Sequence, residues 1–395
     1  MENNLFSISV LCLTILLLIF ILKKFNQPYL VGYIIAGVIL GPQVTGVFHY
    51  ANDISSLGEI GILLMMFFLG IEIEIPDNKS ILWKSCTAQL IKTVLSVLFA
   101  FLVTKWFGWK TGNFVLLSII LVFNSTAVVS ESLRRNGELH SGIGKTVLNI
   151  LLLQYIMLAP VFTCFQWMEG KQISFFSLLS SIAGCLVIFL LLRAIRNRNL
   201  FQINYLKEIK EDHELQVFTG GLICFGFALL SSSIGFTGAI GSFIAGIYLS
   251  RTDVFNWLEN TLRPFKIFFV ALFFVSIGLM LDFNYIMAHY KLILSITILV
   301  MILNSILSSL VLKLLRFSWN RSFYAGALLS QTGEFGLLAC TVAYNLKIID
   351  IDFFKTGLSV MGLSLLLSSI WITILGRILN KKLCHSPHRK NMVSL

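Results

Sequence analysis

Apolar runs separated by short polar stretches recur along the whole chain. They do not alternate apolar and polar faces as a soluble α/β protein of this length would. Each is instead a stretch of about 20 largely uncharged residues, the length a helix needs to cross a hydrocarbon core of roughly 30 Å. Hydropathy divides the chain into thirteen such segments: 5–22, 28–42, 54–74, 81–104, 112–133, 146–167, 174–192, 214–233, 236–250, 265–281, 290–312, 322–345 and 353–376. The first resembles a secretory leader, but its lysines, Lys23 and Lys24, follow the apolar run, and no small-residue cleavage site is evident. It is read as a retained span. The expected fold class is an all-α membrane protein with 13 transmembrane helices.

Charge placement checks that count independently. Of the 30 Lys and Arg residues, 23 fall on connections after odd-numbered segments or on the C-terminal stretch. Six (Lys105, Lys110, Lys171, Lys291, Lys347, Lys355) fall on the opposite face, and Lys92 lies inside a segment. A miscounted segment would have mixed the two groups. The positive-inside rule then predicts a multi-pass protein of the plasma or inner membrane, with the N-terminus outside and the C-terminus in the cytoplasm.

Composition agrees: 57% of residues are hydrophobic and only 12% are charged, against about 25% charged in soluble domains. The net charge of +11 follows from the basic cytoplasmic loops and does not point to nucleic acid. The seven cysteines are scattered without CxxC or His/Cys ligand spacing, so neither a metal site nor a disulfide framework is expected. Gly142-Ile143-Gly144-Lys145-Thr146 lacks the first glycine of a phosphate loop, where Leu139 stands, and no strand precedes it. No nucleophile with a base is visible, so an enzyme is not expected, and no cofactor is implied.

The chain also repeats itself. Gly32-Tyr33-Ile34-Ile35-Ala36-Gly37-Val38-Ile39-Leu40 matches Gly241-Ser242-Phe243-Ile244-Ala245-Gly246-Ile247-Tyr248-Leu249 at five of nine positions, 209 residues on. The same offset carries segment 1 onto segment 8 and segment 5 onto segment 12. Seven spans is an odd number, so the copies would be inverted, as in many transporters. The expected division is a single membrane domain, 5–376, with repeat one at 5–167, a linking span at 174–192 and repeat two at 214–376. A short cytoplasmic tail follows at 377–395. Segments 5 and 12 carry polar runs at matching places, Phe123-Asn124-Ser125-Thr126 and Ser330-Gln331-Thr332-Gly333-Glu334. Unwound backbone at membrane depth is tolerated only around a protein-lined site, so the pair predicts two crossed discontinuous helices. Ordinary helices with back-bonded serines and threonines are the alternative.

With these motifs in hand, the chain resembles the cation:proton antiporter family 2, which includes bacterial sodium/proton antiporters and glutathione-gated potassium efflux systems. The resemblance runs over nearly the whole length. It is carried by Gln27 to Gly37 (QPYLVGYIIAG), Leu40-Gly41-Pro42, Leu57-Gly58-Glu59-Ile60-Gly61, Leu69-Gly70-Ile71-Glu72, Asn124-Ser125-Thr126-Ala127, Phe243-Ile244-Ala245-Gly246, Pro264-Phe265-Lys266, Phe273-Phe274 and Leu329 to Phe335 (LSQTGEF). It implies thirteen spans, a dimerisation domain and hence a homodimer, a core with two crossed broken helices, and alternating access by an elevator-like movement. Monovalent cations, sodium or potassium, and protons are the implied substrates. Any nucleotide-binding regulatory subunit would be a separate chain.

Departures from the family pattern fall where the chemistry should be. In segment 6 the family carries an aspartate that binds cation and proton in competition; here Gln154 is followed by Tyr155. A phenol holds its proton up to about pH 10 and offers no full negative charge at neutrality. The lysine common in segment 11 is absent from Met301-Ile302-Leu303-Asn304-Ser305. Two ionisable residues remain near mid-membrane, Lys92 and Glu334. A charge there costs at least about 2.5–3.5 kcal/mol, which makes both functional suspects. Lys92 is otherwise a snorkelling or structural cation, and Glu334 otherwise offsets broken helix ends. The candidate ion and proton site is therefore Asn124, Ser125, Thr126, Gln154, Tyr155, Gln331, Thr332, Glu334 and Lys92. The expected activity is monovalent-cation transport with an altered coupling site. Little proton-coupled exchange is expected near pH 7 unless Lys92 or Glu334 carries the proton. The alternatives are a transport-inactive membrane sensor or assembly partner, and an uncoupled cation pathway.

Overall fold

A bilayer offers no water to a peptide group, so each N–H and C=O has to be satisfied within the protein, and the α-helix does this locally. The computed structural model describes residues 2–24, 27, 29–48, 52–72, 79–168, 212–233, 238–250 and 256–384. In that part the regular structure is helical, with one isolated two-residue bridge. The order is α1 (Glu2–Lys24), α2 (Tyr29–Leu40), α3 (Asn52–Glu72), α4 (Lys79–Trp106), α5 (Thr111–Val122), α6 (Thr126–Arg135), α7 (Gly142–Met168), α8 (His213–Ser233), α9 (Gly238–Ser250), α10 (Asn256–Met280), α11 (Phe283–Ala288), α12 (Tyr290–Leu314), α13 (Trp319–Leu328), α14 (Glu334–Asn345) and α15 (Ile351–Cys384).

Every predicted segment within the described residues falls on helix; segment 174–192 lies outside them. Some boundaries differ. Segment 10 begins earlier, at Asn256, and holds Pro264 inside the helix. The last helix runs on through Cys384, past the point at 377 where a tail was expected; residues 385–395 lie outside the described part. The short helix α11 was not anticipated. Its N-cap, Asp282, accepts from the Tyr285 amide at 2.9 Å, a signal too brief to register in a hydropathy window.

Two groups of helices pack mainly among themselves, α1–α3 with α8–α10, and α4–α7 with α12–α15. The first group is drawn together by glycine. A Cβ on Gly37 would lie 2.8 Å from Gly278 Cα and would overlap the Val275 carbonyl; a Cβ on Gly278 would lie 2.8 Å from Gly37 Cα. Gly70 and Gly246 make the same contact between α3 and α9, at 3.0 Å in both directions. Close backbone approach of this kind is how helices associate where hydrophobic driving force is weak. It leaves α9 buried along nearly its whole length.

The second group is inside-out in polarity. On α12, Thr297, Asn304, Ser305, Ser308 and Ser309 are buried, while Leu294, Ile298, Leu299, Ile302, Ile306 and Leu310 are exposed. Exposed leucine and phenylalanine likewise cover the outward faces of α1, α4 and α8. In a bilayer these faces meet lipid, and the polar stripe turns to the interior.

Candidate ion site at the crossing of two interrupted helices

Both polar runs interrupt their helices. The first break covers 123–125 and the second 329–333, so Thr126 and Glu334, expected in the breaks, are already the first helical residues of α6 and α14. The two breaks run antiparallel and meet at Asn124 and Thr332. The Gly333 amide donates to the Phe123 carbonyl at 3.3 Å. No Cβ would fit at Gly333, because it would sit 2.5 Å from Ser125 Cα.

A broken helix leaves carbonyls unsatisfied at one new end and amides at the other. Here each break supplies the other with a side-chain donor. Asn124 Nδ2 donates to the Leu329 carbonyl at 2.9 Å and to the Gln331 carbonyl at 3.0 Å, at the end of α13. In return the Thr332 hydroxyl donates to the Ile120 carbonyl at 2.9 Å, at the end of α5. Asn304 on α12 bridges both, donating through Nδ2 to the carbonyls of Ile120 and Ser330 at 3.3 Å each. At the N-terminus of α6, Ser125 Oγ caps the helix by accepting from the Val128 amide at 3.3 Å.

The amides at the crossing are received from outside it. The Asn124 N–H donates to Gln154 Oε1 on α7 at 2.8 Å, and the Thr332 N–H donates to Ser364 Oγ on α15 at 3.2 Å. Gln154 Nε2 donates to Asn124 Oδ1 at 3.0 Å and to Gln89 Oε1 on α4 at 3.2 Å. The Lys92 ammonium, also on α4, completes the set by donating to Asn124 Oδ1. Lys92, Asn124, Gln154 and Thr332 are all buried.

The structure thus brings together Lys92, Asn124, Ser125, Thr126, Gln154, Gln331 and Thr332. Tyr155 follows Gln154 on α7 and Glu334 opens α14, but their side chains lie outside the described residues. Gln331 takes part through its backbone carbonyl and through Oε1, which accepts from Ser330 Oγ at 3.1 Å. Sequence reasoning missed Gln89, Asn304 and Ser364. Gln89 stands one turn before Lys92 in the same apolar span and was findable on that ground. Asn304 was noticed only as a place without lysine. Ser364 had no distinguishing signal among the serines of α15.

Amide and hydroxyl oxygens suit hard monovalent cations. Among the described side chains, this network holds such oxygens and one ammonium, and no carboxylate. The arrangement can bind a cation and can hold or release a proton at Lys92 Nζ. Its described side chains offer no carboxylic acid for the competition that a carboxylate would run.

Comparison with known proteins agrees with this architecture. The sodium proton antiporter MjNhaP1 from Methanocaldococcus jannaschii, solved at pH 8, superposes with a TM-score of 0.69 at 15% identity, covering 97% of this chain and all of that one. The iron transporter MagA of Paramagnetospirillum magneticum is 28% identical over 374 residues, which are 94% of this chain and 86% of that protein. The K(+) efflux antiporter 5 of Arabidopsis thaliana is 25% identical over 361 residues, and the glutathione-regulated potassium-efflux system protein KefC of Cronobacter sakazakii is 25% identical over 358. The chain covers 63% and 56% of the length of those last two. The transmembrane family of sodium/hydrogen exchangers matches residues 10–378, and the chain belongs to that family.

Proposed function

We propose that the protein moves a monovalent cation, sodium or potassium, across the cell membrane by alternating access, through a coupling site that lacks the family's usual aspartate. The observation that carries this reading is the crossing itself. Two interrupted helices meet at buried polar groups, with Asn124, Gln154 and Lys92 joined in one hydrogen-bonded set. Unwound backbone at this depth is costly unless it serves a site, and half-helix ends facing one another are ion sites in other transporters.

The inverted repeat is part of the same proposal. Gly37 and Gly70 on the first copy lie 209 and 208 residues before Gly246 and Gly278, and the two close pairs, Gly37 with Gly278 and Gly70 with Gly246, exchange under that offset. The reception of the Asn124 amide by Gln154 and of the Thr332 amide by Ser364 follows a similar relation. These pairings support a repeat one at 5–167 and a repeat two at 214–376. A movement of α4–α7 with α12–α15 against the other group would expose the crossing to each side in turn. A homodimer held through the first group, an external N-terminus and a cytoplasmic C-terminus complete the reading; a reporter fused after Leu395 tests the orientation.

The decisive experiment is ion flux from purified full-length protein in liposomes, with sodium and with potassium, in the presence and absence of a pH gradient. Cation uptake above that of protein-free vesicles is expected. A second reading, a member that has lost transport and serves as a sensor or assembly partner, is favoured by one contact. The Lys92 ammonium is bonded to Asn124 Oδ1, where a bound cation would sit. Absence of flux under every gradient would establish that second reading in place of the first.

A further inference from the structure

Lys92 lies in the middle of α4 and is 2% exposed. Its ammonium donates to Asn124 Oδ1, which also accepts from Gln154 Nε2. A carbonyl oxygen has two lone pairs, so both are committed while Lys92 carries its proton. The surrounding helices supply few other charges. On α4 itself the other titratable side chains are Lys79, Lys84, Cys86 and Lys105. Neither α5 nor the break after it carries an ionisable side chain, and α6 carries Glu131, Arg134 and Arg135 toward its far end. From α7 come Lys145, Tyr155 and Cys164; α12 has Tyr290, Lys291 and Lys313 near its ends; α14 opens on Glu334. Among the described side chains the partner of the ammonium is a neutral amide oxygen. A carboxylate partner would hold the proton on the amine, and an amide does not.

We infer that Lys92 is the proton-carrying group of the exchange cycle, and that its ammonium and a dehydrated monovalent cation compete for Asn124 Oδ1. The inference rests on the transporter reading above and names the chemistry of its site. With the site open to one side, a cation arrives, the Lys92 N–H bond to the bonded hydrogen breaks, and the proton leaves to water on that side. The cation takes the freed lone pair of Asn124 Oδ1, with the neutral amine nitrogen as a further ligand. On the other side the cation leaves and Lys92 takes a proton from water. One cation crosses for one proton. The site holds one positive charge in either form, so no net charge crosses the membrane and exchange is electroneutral. Asn124 is the specificity-bearing oxygen and Gln154 its positioning residue, since Nε2 of Gln154 fixes the orientation of the Asn124 amide.

The test uses purified full-length protein in liposomes with an internal pH dye and imposed sodium or potassium gradients, at clamped and unclamped membrane potential. Wild type is expected to move protons against cations at a rate insensitive to potential. Raising the cation concentration should shift the acid limb of its pH profile to lower pH. In Lys92→Arg the positive charge and donor remain but the proton cannot leave, so proton movement should fall to that of protein-free vesicles while the variant elutes as folded protein. Lys92→Met should lose coupling as well, and the two variants together separate loss of the proton from loss of the fold. Proton-coupled exchange that survives in Lys92→Arg, that depends on potential, or that only Glu334→Gln abolishes overturns the inference and leaves the transporter reading standing. Cation flux in wild type without proton movement does the same. Absence of any cation flux overturns both.

Discussion

The Asn124 side chain makes four hydrogen bonds at the crossing, and Asn124→Ala tests whether the two breaks are held by it. The substitution removes two donors and one acceptor at once. It strands the carbonyls of Leu329 and Gln331 and takes the acceptor from both the Lys92 ammonium and Gln154 Nε2. A buried polar group left without a partner costs about 1–3 kcal/mol, and more when charged. With two carbonyls and an ammonium affected, the loss should be about 3 kcal/mol or more. Thr332→Val, on the other strand of the crossing, keeps the shape and removes one of the two side-chain donors to the Ile120 carbonyl, which keeps Asn304, so it should cost only about 0.5–1.5 kcal/mol. Both variants can be compared with wild type by the fraction of monodisperse protein left after heating in detergent, and by amide exchange of segments 119–130 and 326–336. Asn124→Ala should be the less stable of the two, with faster exchange in both segments, because its contacts span both breaks. A variant as stable as wild type, or faster exchange confined to 119–130, would refute the view that this side chain ties the breaks together.

Further outcomes follow from the same geometry. Gly37→Ala should destabilise by about 1–3 kcal/mol or more, since backbone of α10 blocks its Cβ and cannot move aside as a side chain would. In contrast Gly226→Ala, with nothing within 4 Å of the added Cβ, should be neutral or stabilise by up to about 1 kcal/mol; equal losses in a thermal-stability comparison would contradict this. Tyr155→Asp should create or strengthen cation-dependent proton movement in liposomes by restoring an exchangeable carboxyl beside Gln154, and unchanged flux in folded protein would show that the position does not reach the site. At the α10–α11 corner, burial alone would raise the Asp282 carboxyl, but hydrogen bonds from Lys355, the Tyr285 amide and Gln43 outweigh it and hold the group below its ordinary value. Its contribution is therefore present above the ordinary aspartate range near about pH 3.9 and is lost as pH falls through the lowered value. Amide exchange over 283–289, corrected for intrinsic rate, should be faster in Asp282→Asn than in wild type at neutral pH and should converge with it in acid. Identical protection at neutral pH would show that the contact orders nothing.

The membrane class, the positions of the described helices and the places of the two breaks were legible in the chain, because each depends on local chemistry. Hydrophobic length is a property of a continuous run. The polar runs at 123–126 and 330–334 stood out because hydroxyl, amide and glycine residues are costly in hydrocarbon. The breaks are slightly shifted from that reading, with Leu329 in and Thr126 and Glu334 out, since the last helical residue depends on which partner satisfies its carbonyl. Only the tertiary structure decided who those partners are. That Asn124 closes the end of α13 and Thr332 the end of α5 could not be read from either run alone, since the groups lie more than 200 positions apart and the bond exists only after the helices pack. The same holds for Lys92. The chain shows a lysine in an apolar span, equally able to snorkel toward water or to turn inward. The packing of α4 against α5 and α7 turns it inward onto Asn124 Oδ1, because a buried ammonium needs an acceptor and the interrupted helix presents one.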